Sequence, residues 1–242
     1  MNIKIPNNAV KYILFQRTAY LMYQNNRFLN SLVIRVPFLS YNRMVSLEAF
    51  LFKGRIKKLF NADMKSEYES IKEYLPKNVF SVLDIGCGVA GIDVLLNKHY
   101  KELGRDIEIF LLDKTETASR VYYGLEKRAA YYNSLFVARE ILERNGVKGP
   151  SIHTQEAAGG PIFPGKQFDL VVSLISWGFH YPVETYLDEV YGLLKLGGKL
   201  IIDIRKGSGG EKLIEKKFGN IELIFNAPQK HIRIVSRKTL QN

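Results

Sequence analysis

The chain has 242 residues, of which 46% are hydrophobic and 12% are aromatic, and it carries 35 Lys and Arg against 24 Asp and Glu. This length and composition suffice for a domain with a buried core and exclude a disordered tail. The single cysteine, Cys87, excludes a disulfide within the chain and favours a reducing compartment, so we expect a cytoplasmic protein. No stretch reaches the roughly 18 apolar residues of a membrane span, and we expect neither a signal peptide nor a transmembrane helix.

The positive charge lies at the two ends of the chain. Residues 1–80 carry 13 Lys and Arg against 5 Asp and Glu, and residues 205–242 carry 9 against 3. Within residues 1–47 six basic residues are interleaved with aromatic ones, and there is no acidic residue. This composition suits binding of phosphate, nucleic acid or an anionic membrane surface. A solvated helical appendage whose aromatic residues pack on the main domain explains it equally well.

One segment in the first third of the chain has apolar residues at helical spacing. It runs from Met44 to about Leu75, and Pro76 ends it. We therefore expect residues 1–75 to form a helical, basic N-terminal appendage and residues 76–242 to form the main domain.

The main domain alternates short apolar runs with helical patterns. The runs lie at residues 79–85, 107–112, 168–175 and 200–204. Runs that are apolar throughout predict parallel strands covered on both faces. This is the doubly wound α/β class.

The pattern changes near the C-terminus. The strand-like runs IELIFN and HIRIVSRK are separated only by Ala227, Pro228 and Gln229, too few residues for a crossover helix. They should form a hairpin, so that the last strand runs antiparallel to the rest.

A glycine-rich turn follows the first predicted strand, in the stretch VLDIGCGVAGIDVLL. Gly86, Gly88 and Gly91 have the spacing G-x-G-x-x-G, which lets a ligand approach bare backbone. Asp84 lies two residues before the first glycine. Asp113 ends the second predicted strand, where an acid is placed to accept both ribose hydroxyls of a nucleoside. The alternative is a pair of acids that only cap strand ends.

The turn D-x-G-C-G-x-x-G, the acid that ends the next strand and the stretch LLKLGGKLIID resemble the class I S-adenosylmethionine-dependent methyltransferases, over residues from about 79 to 238. The resemblance implies a Rossmann-like, mostly parallel seven-stranded sheet with a reversed last strand, and S-adenosyl-L-methionine as the cofactor. It also implies a set of cofactor-binding residues. They are Asp84, Gly86 and Gly88 at the methionine portion, Asp113 at the ribose, Glu156 near the adenine amine, and Cys87 and Gly91 in the same turn.

The stretch SLISWGFHYPVETY lies where this family places residues that face the methyl acceptor. It lacks the Asn/Asp-Pro-Pro-aromatic sequence that similar enzymes use on amino groups, which argues against methylation of exocyclic amines. It also lacks the carboxylate set with which metal-dependent members hold magnesium, so we expect no metal ion.

What the stretch does contain is a candidate base for a hydroxyl acceptor. His180 is that base, with Glu184 as the second candidate, and Trp177 and Tyr181 would form an aromatic wall for a sugar or ring. A histidine packed only for structure is equally compatible with the sequence. The longer stretch SWGFHYPVETYLDEV resembles sugar or small-molecule O-methyltransferases.

About 38 residues separate Asp113 from the third predicted strand near Ile152, more than a short crossover helix needs. Such extra length beside a cleft often forms a substrate lid. Its tyrosines at helical spacing are Tyr122, Tyr123, Tyr131 and Tyr132, and this pattern is more typical of a core. Asn133 is the candidate acceptor-binding residue there.

Two functions therefore stay open. One is a metal-independent O-methyltransferase for a small hydroxylated acceptor such as a sugar. The other is an RNA methyltransferase, or a basic module that binds nucleic acid or a lipid surface and retains an S-adenosylmethionine pocket.

Overall fold

The computed structural model describes residues 2–22, 41–115, 133–226 and 230–240. Within these ranges the helices are α1 (Val10–Gln16), α2 (Tyr41–Leu51), α3 (Lys53–Ile71), α4 (Gly91–Glu102), α5 (Leu135–Arg144), α6 (Leu187–Leu193) and α7 (Gly210–Phe218). The strands are β1 (Ser81–Ile85), β2 (Glu108–Asp113), β3 (Ile152–Glu156), β4 (Phe168–Ser173), β5 (Ser176–Tyr181), β6 (Leu194–Arg205), β7 (Glu222–Asn226) and β8 (His231–Arg237).

Seven of these strands form one sheet in the order β3-β2-β1-β4-β6-β8-β7. The pairs from β3 through β6 are parallel, whereas β8 is antiparallel to both β6 and β7. The predicted fold class and the reversed last strand are thus confirmed. The three residues expected to turn the hairpin, 227–229, lie outside the described residues.

The strand order reverses between β1 and β4. The chain leaves β1 toward β2 and β3, and returns to the opposite side of β1 with β4. In open parallel sheets this reversal leaves a crevice at the carboxyl ends of the strands, where ligands bind. Gly86 follows β1 and Asp113 ends β2, so both lie at this crevice.

Both faces of the sheet are covered, which explains why its strands are apolar throughout. Val82 and Leu111 point into a core shared with α4 and α5, and their neighbours Leu83 and Phe110 point into a second core with α6 and α7. Each buried Leu, Val or Phe contributes about 1.5–3 kcal/mol through removal of apolar surface from water.

The N-terminal helices belong to the first of these cores. Ile13 and Leu14 of α1 and Ile56 of α3 are buried in it beside the sheet residues. The aromatic residues Phe15 and Tyr20 are buried in the same core, whereas Tyr23, Phe28 and Phe38 lie outside the described residues. The boundary near residue 75 stays a prediction. No helix within the described ranges is long and apolar enough to cross a membrane.

Candidate functional site

A cleft opens where the strand order reverses, at the carboxyl ends of β1 and β2. It contains about 250 Å³ of empty space, counted with the solvent at its mouth. The lining residues are Ile85, Gly86, Leu112, Asp113, Ala157, Ser176, Tyr181 and Tyr186. Most of this space is open to solvent and the enclosed part is too small for a nucleoside, so we expect side chains around the cleft to shift when a nucleoside binds.

The first two glycines of the turn are required by close neighbours and by backbone angle. Gly86 has φ +75° and Gly88 has φ +54°, in the left-handed region that favours glycine. A Cβ at Gly86 would overlap Ser176 Oγ, and a Cβ at Gly88 would lie 2.7 Å from Gln16 Oε1. The backbone of the turn is therefore bare on the side that faces the cleft and α1.

Glycine is required at the third position, Gly91, for a different reason. A Cβ at Gly91 would lie 2.5 Å from Phe60 Cζ and 2.7 Å from Met64 Sδ, both on α3. Gly91 thus permits close packing of α3 on the start of α4, and it does not line the cleft. The sequence predicted Gly91 as a cofactor contact, whereas the structure places it at a helix interface.

Asp113 is held against the glycine turn. Its Oδ2 accepts hydrogen bonds from Gly88 N at 2.8 Å and from Asn133 Nδ2 at 2.9 Å, and its Oδ1 accepts one from Lys114 N at 2.7 Å. Burial raises the pKa of Asp113 to about 6, and the three hydrogen bonds partly oppose this rise. A carboxylate has about four acceptor positions, and the thiol of Cys87 donates to Oδ2 as the fourth, so a ligand hydroxyl would have to replace or share one of these donors.

Asn133 contacts the acid rather than the wall of the cleft. Its side chain is buried, its Nδ2 donates to Asp113, and its Oδ1 accepts from Gln16 Nε2 at 3.3 Å. The sequence predicted Asn133 as an acceptor-binding residue, whereas the structure makes it a support for Asp113. The four tyrosines expected near it, at 122, 123, 131 and 132, lie outside the described residues.

Two further acids lie behind the turn. Asp84 at the end of β1 is 3% exposed, and Asp93 in the first turn of α4 is fully buried. Burial, then the charge of Asp93, raises the pKa of Asp84 well above its ordinary value, and burial raises the pKa of Asp93 to about 7. Within the described ranges no Lys, Arg or His forms an ion pair with Asp84, Asp93 or Asp113. The site is therefore suited to a cationic ligand.

Cys87 and Glu156 flank Asp113. The Cys87 thiol is buried, its Sγ lies 3.9 Å from Asp113 Oδ2, and burial raises its pKa well above the ordinary value, so it is a neutral thiol. Glu156 ends β3 directly beside Asp113 in the strand register, and its Oε2 accepts from Thr115 N at 2.8 Å. Both residues thus lie beside Asp113, and their contact with a cofactor stays a prediction.

The two aromatic residues predicted to face the acceptor are separated by the fold. Tyr181 lines the cleft, together with Tyr186. Trp177 is fully buried in the core of the sheet, and its Nε1 donates to Val183 O at 2.9 Å. The structure therefore places Trp177 inside the core rather than on the wall of the cleft.

The two candidate bases are not among the residues that line the cleft. Burial, then the positive charge of Arg205, lowers the pKa of His180 to about 4, and its ring contacts Phe179 edge to face. Glu184 lies in a second cavity beside the start of α7, lined also by Gly178, Pro182, Val183, Ser208 and Gly210. In this structure His180 and Glu184 do not face Asp113 across one cavity.

Besides the apolar lining residues Ile85, Leu112 and Ala157, four polar residues of the site were not identified from the sequence. They are Gln16, Asp93, Ser176 and Tyr186. An acid within the apolar start of α4 is a usable signal for Asp93, since a buried acid there needs a partner. Gln16 has no sequence signal, because only the folded chain brings it to residue 133.

Comparison with known proteins supports the fold. No model of a known protein family matches the chain, and no curated protein matches it. A methyltransferase from Pyrococcus furiosus superposes with a TM-score of 0.51 and 17% identity, over 73% of this chain and 83% of that one. A protein from Nostoc punctiforme PCC 73102, provisionally named an O-methyltransferase, has a TM-score of 0.54 and 17% identity over 95% and 72% of the two chains.

A third structure, the S-adenosylmethionine-dependent methyltransferase SibL in its apo form, has a TM-score of 0.51 and 15% identity over 96% of this chain and 70% of that one. The last two likenesses extend over nearly the whole chain. The chain has the fold of class I S-adenosylmethionine-dependent methyltransferases.

Proposed function

We propose that the protein is an S-adenosylmethionine-dependent methyltransferase. The observation that carries the proposal is Asp113, fixed against the bare turn of Gly86 and Gly88 at the point where the strand order reverses. Fold alone does not assign an activity, so the weight lies on this arrangement.

The residues present fit the cofactor. Gly86 and Gly88 have no side chains of their own, so a ligand can approach the backbone of the turn once the side chains of Ser176 and Gln16, which now lie against it, move aside. Asp113 is placed to accept ribose hydroxyls, and Asn133 would have to give up or share its hydrogen bond to it. When bound, S-adenosylmethionine supplies a methyl group on a positively charged sulfur.

The charge of the site supports a cationic ligand over a neutral one. Asp84, Asp93 and Asp113 lie close together in a buried region without an ion-paired cation in the described part of the chain. In such a region charge interactions are weakly screened. The protein would thus favour the sulfonium, and loss of that charge on methyl transfer would assist release of the product.

The cofactor proposal is tested by calorimetric titration with S-adenosylmethionine and S-adenosylhomocysteine. Asp113→Ala is expected to weaken binding by about 1–3 kcal/mol, because ribose hydroxyls lose a charged acceptor. Asp106→Ala is the matched control, since Asp106 is an exposed acid just before the opposite end of the same strand, β2. Absence of binding to the unaltered protein would refute the proposal, and equal affinity in both variants would remove Asp113 from the site.

For the acceptor we propose a small hydroxylated molecule such as a sugar, methylated on oxygen without a metal ion. Tyr181 and Tyr186 line a small cleft beside Asp113, and such rings pack well on a sugar face. His180 is the proposed base. Because it does not line the cleft, β5 or the side chains around the cleft must move before His180 can contact the acceptor. Transfer of labelled methyl to sugars, phenols and RNA identifies the acceptor class.

With the acceptor found, His180→Gln is expected to lower turnover by roughly 10²–10⁴-fold and to leave the cofactor affinity unchanged. Because the pKa of His180 is about 4, the turnover number of the unaltered enzyme, measured with saturating cofactor at each pH, should fall only as the pH approaches 4, where the imidazole becomes protonated. The matched control is His153→Gln, at the far end of β3. A stable and fully active His180→Gln enzyme would exclude a base at this position.

RNA methylation is the second candidate, because Lys53, Lys58 and Lys65 are exposed along α3 in a chain with an excess of positive charge. Binding to phosphate groups along a nucleic acid weakens steeply as salt concentration rises. Binding of a neutral sugar should change little with salt. Labelled methyl on RNA, with strong salt dependence, would replace the small-acceptor proposal and retain the cofactor proposal.

A further inference from the structure

The environment of Asp93 makes an isolated, ionised carboxylate unfavourable. Asp93 is fully buried, and within the described residues neither of its carboxyl oxygens accepts a hydrogen bond from an amide, hydroxyl or basic side chain; the one backbone N–H that helps to lower its pKa is its own. The group that interacts with it is the carboxyl of Asp84, itself 3% exposed. Two buried carboxyl groups in contact cannot both be ionised without a large cost.

One shared proton resolves this conflict. If one carboxyl keeps its proton, it donates a hydrogen bond to the other, and the pair carries a single negative charge. Both pKa values are raised, that of Asp93 to about 7, so the pair retains a proton close to neutral pH.

In the part of the chain that the structure describes, no positively charged group lies beside the pair. The titratable groups near the pair are Asp113 from β2 and the thiol of Cys87 in the turn. The charge of Asp113 raises the pKa of Asp84, and the thiol is neutral. From α3 the start of α4 meets Phe60 and Met64, which are apolar. From α1 the turn meets Gln16, an uncharged amide.

The pair also brackets the glycine turn. Asp84 lies two residues before Gly86, and Asp93 lies two residues after Gly91 in the first turn of α4. A cation bound at this turn would stabilise the doubly ionised pair. The start of α4 adds to this effect, because the helix dipole favours a negative charge on its first turn.

Resting on the proposed function, we propose that Asp84 and Asp93 share one proton in the ligand-free protein and release it when the cationic cofactor binds at the glycine turn. Asp93 acts through Asp84 and is a positioning residue. Binding lowers the proton affinity of the pair, so by linkage the cofactor must bind more tightly as the pH rises. For one proton the affinity increases up to about tenfold per pH unit, and it levels off above the pKa of the pair in the ligand-free protein.

Proton release is measured directly by calorimetric titration of S-adenosylmethionine in buffers with different ionisation enthalpies. The range from pH 5 to pH 7 is suitable, because the α-amino group of the ligand titrates at about 7.7–8.0 if it behaves as an ordinary one. We expect release of a substantial fraction of one proton per bound cofactor and a dissociation constant that falls across this range.

The variant Asp93→Asn distinguishes a proton released by the pair from one released by Asp113, whose pKa is raised to about 6. The amide introduced at position 93 keeps the shape and donates to Asp84 without a titrating proton, so release and pH dependence should fall sharply. Asp188→Asn, at an exposed acid on α6, should behave as the unaltered protein. Thermal melting establishes that both variants fold.

Three outcomes separate the claims. Absence of cofactor binding at every pH refutes the proposed function itself. Binding by the unaltered protein without proton release overturns the shared-proton inference and leaves the function intact, whether or not Asp93→Asn folds. Unchanged release in a folded Asp93→Asn protein also overturns it, since the proton then comes from Asp113 or another group.

Discussion

Two groups of buried carboxylates lie on the same sheet, and they differ in whether a cation accompanies them. Asp203 on β6 is fully buried and accepts hydrogen bonds from Arg233 Nε and Nη2, each at 2.7 Å, directly across the β6–β8 register. Asp84 at β1 and Asp93 on α4 interact with each other, and within the described residues no Lys, Arg or His forms an ion pair with either. A buried acid that is matched within the chain supports the fold. One that is unmatched in the described residues is suited to a ligand.

The matched group also ties the N-terminal helices to the sheet. Arg233 Nη2 lies 2.5 Å from Glu67 Oε2 on α3, and Arg233 Nη1 donates to Ser70 Oγ on the same helix at 2.5 Å. Asp203 Oδ2 further accepts from Ile175 N at 3.0 Å, beside the lining residue Ser176. The pair of Arg233 and Asp203 thus holds α3 and the segment after β4 in a fixed position relative to each other.

The largest effect is expected when this match is broken. Arg233→Met leaves Asp203 buried without its bidentate partner, which should lower the free energy of unfolding by about 3–5 kcal/mol in denaturant titrations. Arg237→Met is the control, since Arg237 lies on the same strand but is exposed, and its side chain donates to the carbonyl oxygen of Gly197 on β6 rather than to a buried acid. Similar stability in the two variants would show that the ion pair between Arg233 and Asp203 does not stabilise the fold.

The difference between the two groups also shows what sequence alone could predict. Asp84 and Asp113 were visible because each ends an apolar run, and strand ends meet at one edge of a parallel sheet. Gln16 and Asn133 were not linked, since their contact spans 117 residues and depends on how α1 packs. Pairing of Asp203 with Arg233 likewise needs the register of two strands that no local pattern specifies.

Strand bounds were less predictable than strand identity. The apolar run 168–175 predicted one strand, but β4 ends at Ser173 and Ile175 adopts φ +52°, so the chain reverses and β5 begins at Ser176. Trp177 is thereby turned into the core rather than toward the cleft. At β6 the observed strand begins at Leu194, six residues before the predicted run, because two glycines and two lysines hide the apolar pattern.

A smaller effect, with a characteristic pH dependence, is expected when the unmatched group is changed. The pKa of Asp93 is raised in the folded protein to about 7, whereas an unfolded Asp has about 3.9, so between these values the folded state binds more protons than the unfolded state. The stability of the unaltered protein must therefore fall as the pH rises from about 4 to about 7, and the full cost is present above that window. Asp93→Asn removes this cost, because an amide at this position needs no proton and donates to Asp84.

We expect Asp93→Asn and the unaltered protein to have equal stability near pH 4, and the variant to be more stable by about 1–3 kcal/mol at pH 8, with the shift reduced by relaxation of the chain. Denaturant titrations of both proteins at several pH values, without cofactor, measure this difference. Asp188→Asn should show no pH-dependent gain, because its carboxylate is exposed to water. A variant that is less stable than the unaltered protein at pH 8 would mean that Asp93 is matched by a group of the chain after all. Asp84 and Asp93 would then belong with Asp203 among the acids that support the fold, and the cationic ligand would lose its strongest physical argument.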